Sequence, residues 1–388
     1  MPRPRCKINE LVGESCRRQR RERSPYCTDK CKKRYHYIKN KKKIVLYGSR
    51  NRAKTSIIRN IIFPKWKKQN PKGLAIYIEL MHVKDLADIS ERFTKSFNQS
   101  YGELAKIKTF LDTTIKLFKG LRPSYELGEN GKMEFSIKSS DGKNIVDIEE
   151  LLDRIHDLSE KGVPCLLCFD EFQDIAFVKK AEAILRRKFE EIGSKIPIIV
   201  LGSKQHVLTE VFEKPKAPFY KWGVKIEISN IPYEEYYPYL KERFIGELVN
   251  TSDEVLKYLQ DALFRSPEEI HRIGYEANRK CSSMPLTEGI IDDLIDQYIE
   301  GNGTVFESRV DHITSQQLSF LKQIVFSRDR KVSGIYSQDF LHKVGVSSPG
   351  MQKIVKRLLD RGFIDRKGDS YTMNDPFLFY HLKKTRLS

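Results

Sequence analysis

The chain has 388 residues and a formal net charge of +18, with 70 Lys and Arg against 52 Asp and Glu; hydrophobic residues make up 39% and aromatics 11%, enough apolar material for several packed modules. No apolar run approaches the ~20 residues of a membrane span, and the opening Met-Pro-Arg-Pro-Arg lacks the apolar segment of a secretory signal. The expectation is a soluble cytoplasmic protein with no membrane partner, in which seven cysteines argue against a disulfide framework.

The charge is unevenly spread. Residues 1–43 hold 16 Lys and Arg against four acids, two thirds of the excess. That asymmetry points to an anionic partner, most simply nucleic acid; the bland alternative is a solvated basic arm. Cys6, Cys16, Cys27 and Cys31 lie in the same stretch. Four thiolates can close a tetrahedral Zn²⁺ site, and about 40 residues need a metal to fold, since they cannot build a sufficient core. Tyr26-Cys27-x3-Cys31 followed by basic residues resembles small bacterial and archaeal zinc fingers, in which the second Cys opens a basic helix. The resemblance implies a helix from about Thr28 to Lys41, with Lys32, Lys33, Arg34 and Lys39 facing nucleic acid. Nine residues separate Cys6 from Cys16 where such fingers have a tight knuckle, so either Cys6 or His36 completes the ligand set. The alternative is four unligated thiols in a basic tail.

Lys43–Tyr47 reads as a short strand. It is followed by Gly48-Ser49-Arg50-Asn51-Arg52-Ala53-Lys54-Thr55-Ser56 and an amphipathic helix to about Ile62. Gly48, Lys54 and Thr55 fit the phosphate-loop template G-x4-G-K-[ST], with Ala53 in place of the second glycine. Such a loop turns backbone N–H groups onto phosphates and needs open backbone conformations. A methyl group is the smallest intrusion, so weakened nucleotide binding is expected more than its loss. Lys54 would neutralise the β- and γ-phosphates, Thr55 would ligate Mg²⁺, and Arg50 and Arg52 would add charge.

Leu74–Leu80 is the next strand, residues 85–119 have helical spacing, and Lys132–Lys138 alternates as in a surface hairpin. Ile145–Lys161 is an amphipathic helix leading into Cys165-Leu-Leu-Cys-Phe-Asp170-Glu171, an apolar strand closed by two carboxylates. Asp170 would organise Mg²⁺ and Glu171 would polarise the attacking water. Cys165 and Cys168 read as small hydrophobes of that strand, not as ligands. A helix over 179–192, a buried strand from Ile196 to Ser203 and a closing strand Lys225–Ser229 complete an alternating pattern, which predicts a doubly wound parallel α/β sheet. The order of glycine loop, acidic strand and polar-ended strand is that of the additional-strand ATPases, where Ser203 would take the sensor-1 position.

Asp170-Glu-Phe-Gln, Val200–Phe212, Ala217-Pro-Phe-Tyr-Lys221 and Ile231-Pro-x-Glu, in this order, resemble prokaryotic AAA/STAND-type ATPases related to the archaeal ATPase family, over residues 43–388. The resemblance implies a P-loop core of the additional-strand type that takes ATP, a helical lid and a C-terminal winged helix. The family's Arg-Glu-Glu helix before the first strand is replaced here by the cysteine-rich segment.

Tyr233–Leu248 reads as an aromatic-rich helix. Ser266-Pro267-Glu-Glu-Ile-His-Arg272 stands where the family carries its lid motif, so Pro267 would open a helix facing the nucleotide and Arg272 would act as a sensor-2-like cation; the alternative is a solvated helix arginine. Gly301-Asn-Gly303 reads as a linker. Helices over Thr314–Phe326, Gln338–Gly345 and Gly350–Arg361, with a wing around Lys367-Gly-Asp369, form a winged helix. Ile354, Val355, Leu358 and Leu359 would pack inward, while Lys353, Lys356, Arg357 and Arg361 would face DNA phosphates.

The predicted organisation is a zinc-binding module (1–41), a P-loop NTPase core (42–232), a helical lid (233–302) and a winged helix (303–388). The predicted activity is an ATP- and Mg²⁺-dependent switch on double-stranded DNA. Two alternatives stand beside it: a non-catalytic scaffold on a degenerate ATPase fold, motivated by Ala53, and a sensor that forms homo-oligomers.

Overall fold

The apolar runs predicted as strands form one parallel sheet in a computed structural model that describes residues 43–48, 52–105, 122–127, 133–138, 145–193, 195–203 and 211–385. The zinc-module residues, including Cys6, Cys16, Cys27, Cys31, Lys32, Lys33, Arg34 and His36, lie outside the described residues. So do Ser49, Arg50 and Asn51. The chain divides into two compact units: one holds the strand Ile44–Tyr47 and Lys54–Ser203 and runs on to Glu227, and the other holds Gly48–Ala53 and Ile228–Ser388.

In the first unit, β1 (Ile44–Tyr47) is followed by a helical run of α1 (Lys54–Ile57), a π-type turn (Ile58–Ile62) and α2 (Phe63–Gln69). Then come β2 (Leu74–Glu79), α3 (Leu86–Ala105), an antiparallel hairpin of β3 (Arg122–Leu127) and β4 (Met133–Lys138), and α4 (Ile148–Glu160). The unit closes with β5 (Cys165–Asp170), a 3₁₀ turn (Phe172–Phe177), α5 (Ala181–Ile192), β6 (Ile198–Gly202) and β7 (Val224–Glu227).

The sheet order is β2-β5-β6-β1-β7 and every ladder in it is parallel. Strand β6 therefore separates the strand before the phosphate loop from the strand that ends in the acidic pair. Both β5 and β6 are buried along their whole length, which is why they read as unbroken apolar runs without alternation. Cys165 and Cys168, three residues apart, fall on opposite faces of β5; burial pushes the Cys165 thiol up to about 12 and raises Cys168 as well. Thiols held protonated in a core behave as small hydrophobes, as expected.

An aromatic cluster fills the space beside β5. Phe172 stands 5.1 Å from Phe219, 5.9 Å from Phe212 and 6.0 Å from Phe189, centroid to centroid. Phe169 and Trp222 extend the cluster. The Phe172 ring is fully buried and begins the 3₁₀ turn directly after the acidic pair, so packing fixes where the chain leaves the strand.

The second unit is helical, with one small sheet. Its elements are α6 (Tyr233–Arg243), a 3₁₀ turn (Gly246–Asn250), α7 (Asp253–Ala262), α8 (Pro267–Lys280), α9 (Glu288–Gly301) and α10 (Gly303–Asp311). They continue as α11 (Ser315–Val325), β8 (Lys331–Val332), α12 (Gln338–Val344), α13 (Ser348–Asp360), β9 (Ile364–Lys367), β10 (Ser370–Met373) and α14 (Pro376–Thr385). The antiparallel order β8-β10-β9 forms the wing. Side-chain caps set the helix starts: Thr314 forms a capping box with Gln317, Ser337 accepts from Phe340 N–H, and Ser347 accepts from Gly350 N–H. Gly345 ends α12 at φ 74°, the left-handed position that favours glycine.

Three boundaries differ from the sequence reading. The helical run expected to end near Ile62 continues to Gln69. The helix expected to reach Leu248 stops at Arg243, because Phe244 turns extended and Gly246 takes φ 57°, where a Cβ would meet the Ser282 carbonyl. Gly301–Gly303 is no extended linker: Asn302 alone separates α9 from α10, and one hydrophobic cluster holds residues on both sides of it.

Two measurements check this packing. Phe172→Ala should lower stability by about 3–5 kcal/mol in denaturant unfolding, through lost burial and an aromatic-lined cavity. His271 hydrogen-bonds Tyr236 at 3.2 Å, and burial, aided by the Arg243 charge, holds its imidazole below the ordinary value of 6.5. Because the unfolded chain then binds the proton more tightly, stability should fall as pH drops through about 6.5 and stay level above it. His271→Gln should flatten that slope in thermal unfolding.

Candidate functional site

Asp170 ends β5 and is 4% exposed. A carboxylate so placed needs donors, and three supply it. Thr55 Oγ1, in the first turn of α1, donates to Asp170 Oδ2 at 2.5 Å. The Tyr77 hydroxyl donates to the same oxygen from β2. The Glu171 N–H donates to Oδ1 at 2.8 Å. Register explains the Tyr77 contact: β2 pairs with β5 so that Tyr77 faces Cys168 and Glu79 faces Asp170. Burial first and the Asp170 charge second raise the Tyr77 phenol far above its usual range, so it stays a donor. The Arg59 guanidinium lies 4.2 Å from the Tyr77 ring centroid. Lys54, one residue before Thr55, is 6% exposed, and Ser56 is exposed in the same turn.

Glu171 leaves the strand at φ 49°, a left-handed conformation that costs a non-glycine residue about 1–2 kcal/mol. Its carboxylate accepts from Ser203 Oγ, at 2.9 Å to Oε1 and 2.8 Å to Oε2, and from Gln173 Nε2. The first unit thus brings Lys54, Thr55, Asp170, Glu171 and Ser203 to the C-terminal ends of adjacent strands.

The remaining candidates lie in the second unit. Gly48 is required by packing, since a Cβ there would stand 2.7 Å from the Ile228 carbonyl oxygen. Ala53 takes φ 55°, the conformation that the template's glycine would supply without strain. The Arg52 guanidinium donates to the carbonyls of Phe264, at 3.1 Å, and Arg265. Burial first and the Arg265 charge second lower the Arg52 pKa.

Pro267 opens α8, as expected. Arg272 pairs along its own helix with Glu269 at 3.1 Å and Glu268 at 3.5 Å, and lies 5.3 Å from the Tyr298 ring centroid. On α13, Ile354, Val355 and Leu358 are buried and Leu359 partly so, while Lys353, Lys356 and Arg357, and Arg361 just past the helix end, are exposed. Arg357 and Arg361 border a cavity of about 390 Å³ with His312, Thr314, Gln317 and Asp360. Arg361 donates to the His312 carbonyl at 2.5 Å. Among the described residues no group of three or more His, Cys, Asp and Glu is placed to hold a metal ion, and no helix is long and apolar enough to cross a membrane.

Sequence reasoning missed Tyr77, Gln173 and Asp174. A phenol inside an otherwise apolar strand, beside the acidic strand, is a signal that a polar partner is near. Gln173 and Asp174 stand between Phe172 and Ile175 with no periodicity to mark them.

The chain is similar in structure to a Walker-type ATPase of Pyrococcus abyssi, at 16% identity and a TM-score of 0.58, over 94% of this chain and 97% of that one. It is also similar to the ORC2 protein of Aeropyrum pernix in its ADPNP–ADP complexes, at 14% identity and 0.51, over 90% of this chain and 89% of that one. The ADP form of the same protein gives 13% and 0.50, over 98% and 99%. A family model described as a probable winged helix domain matches residues 304–384. No curated protein matches the sequence. Together with the strand order, these likenesses establish a parallel-sheet α/β fold of the P-loop ATPase kind with a C-terminal winged helix.

Ala53 provides a direct test of the loop. Ala53→Gly should relieve the left-handed strain, raising stability by about 1 kcal/mol. Thermal unfolding measures the change; a destabilised Ala53→Gly variant would contradict a strained backbone at this position.

Proposed function

We propose that this protein binds and hydrolyses ATP with Mg²⁺ and uses the nucleotide state to control DNA binding. One observation carries the reading: the Lys54-Thr55 pair at the start of a helix and the Asp170-Glu171 pair at the end of a buried strand meet through the Thr55–Asp170 hydrogen bond. A hydroxyl and a carboxylate side by side are hard oxygen donors suited to Mg²⁺, so Thr55 and Asp170 fit the metal. Lys54, at the N-terminus of the run Lys54–Gln69, fits the phosphates by charge and by backbone N–H groups. Mg²⁺ when bound supplies charge neutralisation on the phosphates. Glu171 polarises the attacking water, and Ser203 holds Glu171 and senses the phosphate. Gly48 through Ser56 form the nucleotide's loop in this reading. The structural neighbour from Aeropyrum pernix was solved with ADPNP and ADP, which supports the choice of nucleotide.

The winged helix supplies the DNA contact in this proposal, through Lys353, Lys356 and Arg357 on α13 and Arg361 at its end. The basic segment 1–41, with Zn²⁺ on Cys6 or His36 together with Cys16, Cys27 and Cys31, adds a second contact through Lys32, Lys33 and Arg34. ATP and double-stranded DNA are therefore the partners.

A second reading, a non-catalytic DNA-binding scaffold, is favoured by Ala53 alone, whose strained backbone weakens the phosphate loop.

Purified protein should hydrolyse ATP in the presence of Mg²⁺, faster with duplex DNA. Lys54→Ala should lose nucleotide binding. Glu171→Gln should keep binding and lose about a hundredfold or more in turnover. DNA affinity should fall steeply with salt, as phosphate contacts require. Tight DNA binding with no nucleotide bound at any ATP concentration would overturn the catalytic reading and establish the scaffold.

A further inference from the structure

Gln173 is fully buried, one residue into the 3₁₀ turn that follows the acidic pair. Its side-chain NH₂ group spans two carboxylates: it donates to Glu171 Oε2 and, at 3.3 Å, to Asp174 Oδ1. Asp174 is 2% exposed, and its other oxygen accepts from the His82 backbone N–H at 2.8 Å. His82 takes φ 57° to present that N–H. The chain of contacts therefore runs from the His82 backbone through Asp174 and Gln173 to Glu171, which Ser203 holds from the other side.

The amide orientation is fixed by this surrounding, because the reverse rotation would aim the amide oxygen at two acceptors. The cost is visible: Gln173 Oε1 is buried without a hydrogen-bond partner among the described residues. An unsatisfied buried acceptor destabilises a fold by about 1–3 kcal/mol, and a methionine of similar length would avoid it. A core position that carries this penalty, beside a left-handed Glu171 and a left-handed His82, is organised for something other than stability.

We propose that Gln173 is a positioning residue for hydrolysis: anchored by Asp174, it fixes the carboxylate of Glu171 in the orientation that receives the proton of the attacking water. This inference rests on the reading of Glu171 given above.

The test uses the full chain with Mg²⁺ and ATP, in wild type, Glu171→Gln, Gln173→Met, Gln173→Glu and Asp174→Asn. Gln173→Met keeps the volume without the donor; Gln173→Glu keeps the shape and replaces the donor by a third acceptor. Both Gln173 variants should lose about 10- to 100-fold in kcat, the loss expected from misplacing a reacting group. KM and the affinity for a non-hydrolysable ATP analogue should stay within about twofold of wild type, and Asp174→Asn should lower kcat in the same pattern.

A wild type that turns over, a silent Glu171→Gln and a Gln173→Met at wild-type kcat would overturn the inference and leave the proposed function standing. Parallel losses of kcat, analogue affinity and thermal stability in the Gln173 variants would also overturn it, by reducing Gln173 to a packing role. A wild type without turnover would overturn the proposed function, and this inference with it.

Discussion

Satisfying one buried carboxylate organises the first unit. Asp170 sits where a fully buried strand ends, and its charge is tolerable there only because Thr55, Tyr77 and the Glu171 backbone donate to it. Each donor comes from a different part of the fold: the helix after β1, the neighbouring strand β2, and the turn that leaves β5. The parallel ladder between β2 and β5 places Tyr77, and the insertion of β6 between β1 and β5 brings Ser203 to Glu171. Sheet order and hydrogen-bond network are thus two descriptions of one constraint.

The parts legible in the sequence were those whose signal is local. Unbroken apolar runs gave β5 and β6, because strands covered on both faces have no polar side to alternate with. The helices beginning near Thr314, Gln338 and Gly350 were also read, and their starts are held by side-chain caps whose hydrogen bonds span only three residues. Features that depend on long-range contact were not legible. The end of α6 at Arg243 is dictated by the Ser282 carbonyl against Gly246, far along the chain. The pair of glycines around Asn302 looked like a flexible joint, yet each glycine lies within a helix. Helical propensity is a weak prior against packing from both sides.

The candidate site divides in the same way. Lys54, Thr55, Asp170, Glu171 and Ser203 were singled out by motif and spacing, and the structure places them together at strand ends. Tyr77 and Asp174 act through partners about 90 residues away, Asp170 and the His82 backbone respectively, and no pattern along the chain records such a pairing. Gln173 was visible as a letter in the stretch after the acids, but its role depends on which way an amide faces.

The turn before α8 is of a different kind from the capped helix starts. Phe264 and Arg265 both take φ 55°, and neither has the glycine or asparagine that normally relieves such a backbone. Their carbonyls converge on Arg52, while the Arg265 side chain lies 4.0 Å from the Tyr233 ring centroid and donates to the Ile231 carbonyl. The shape of this turn is therefore borrowed from its neighbours, not encoded by its own residues. The acceptors that hold Arg52 are neutral carbonyl oxygens, so they fix where the guanidinium sits, while its charge is opposed by Arg265 and answered by the Asp365 carboxylate.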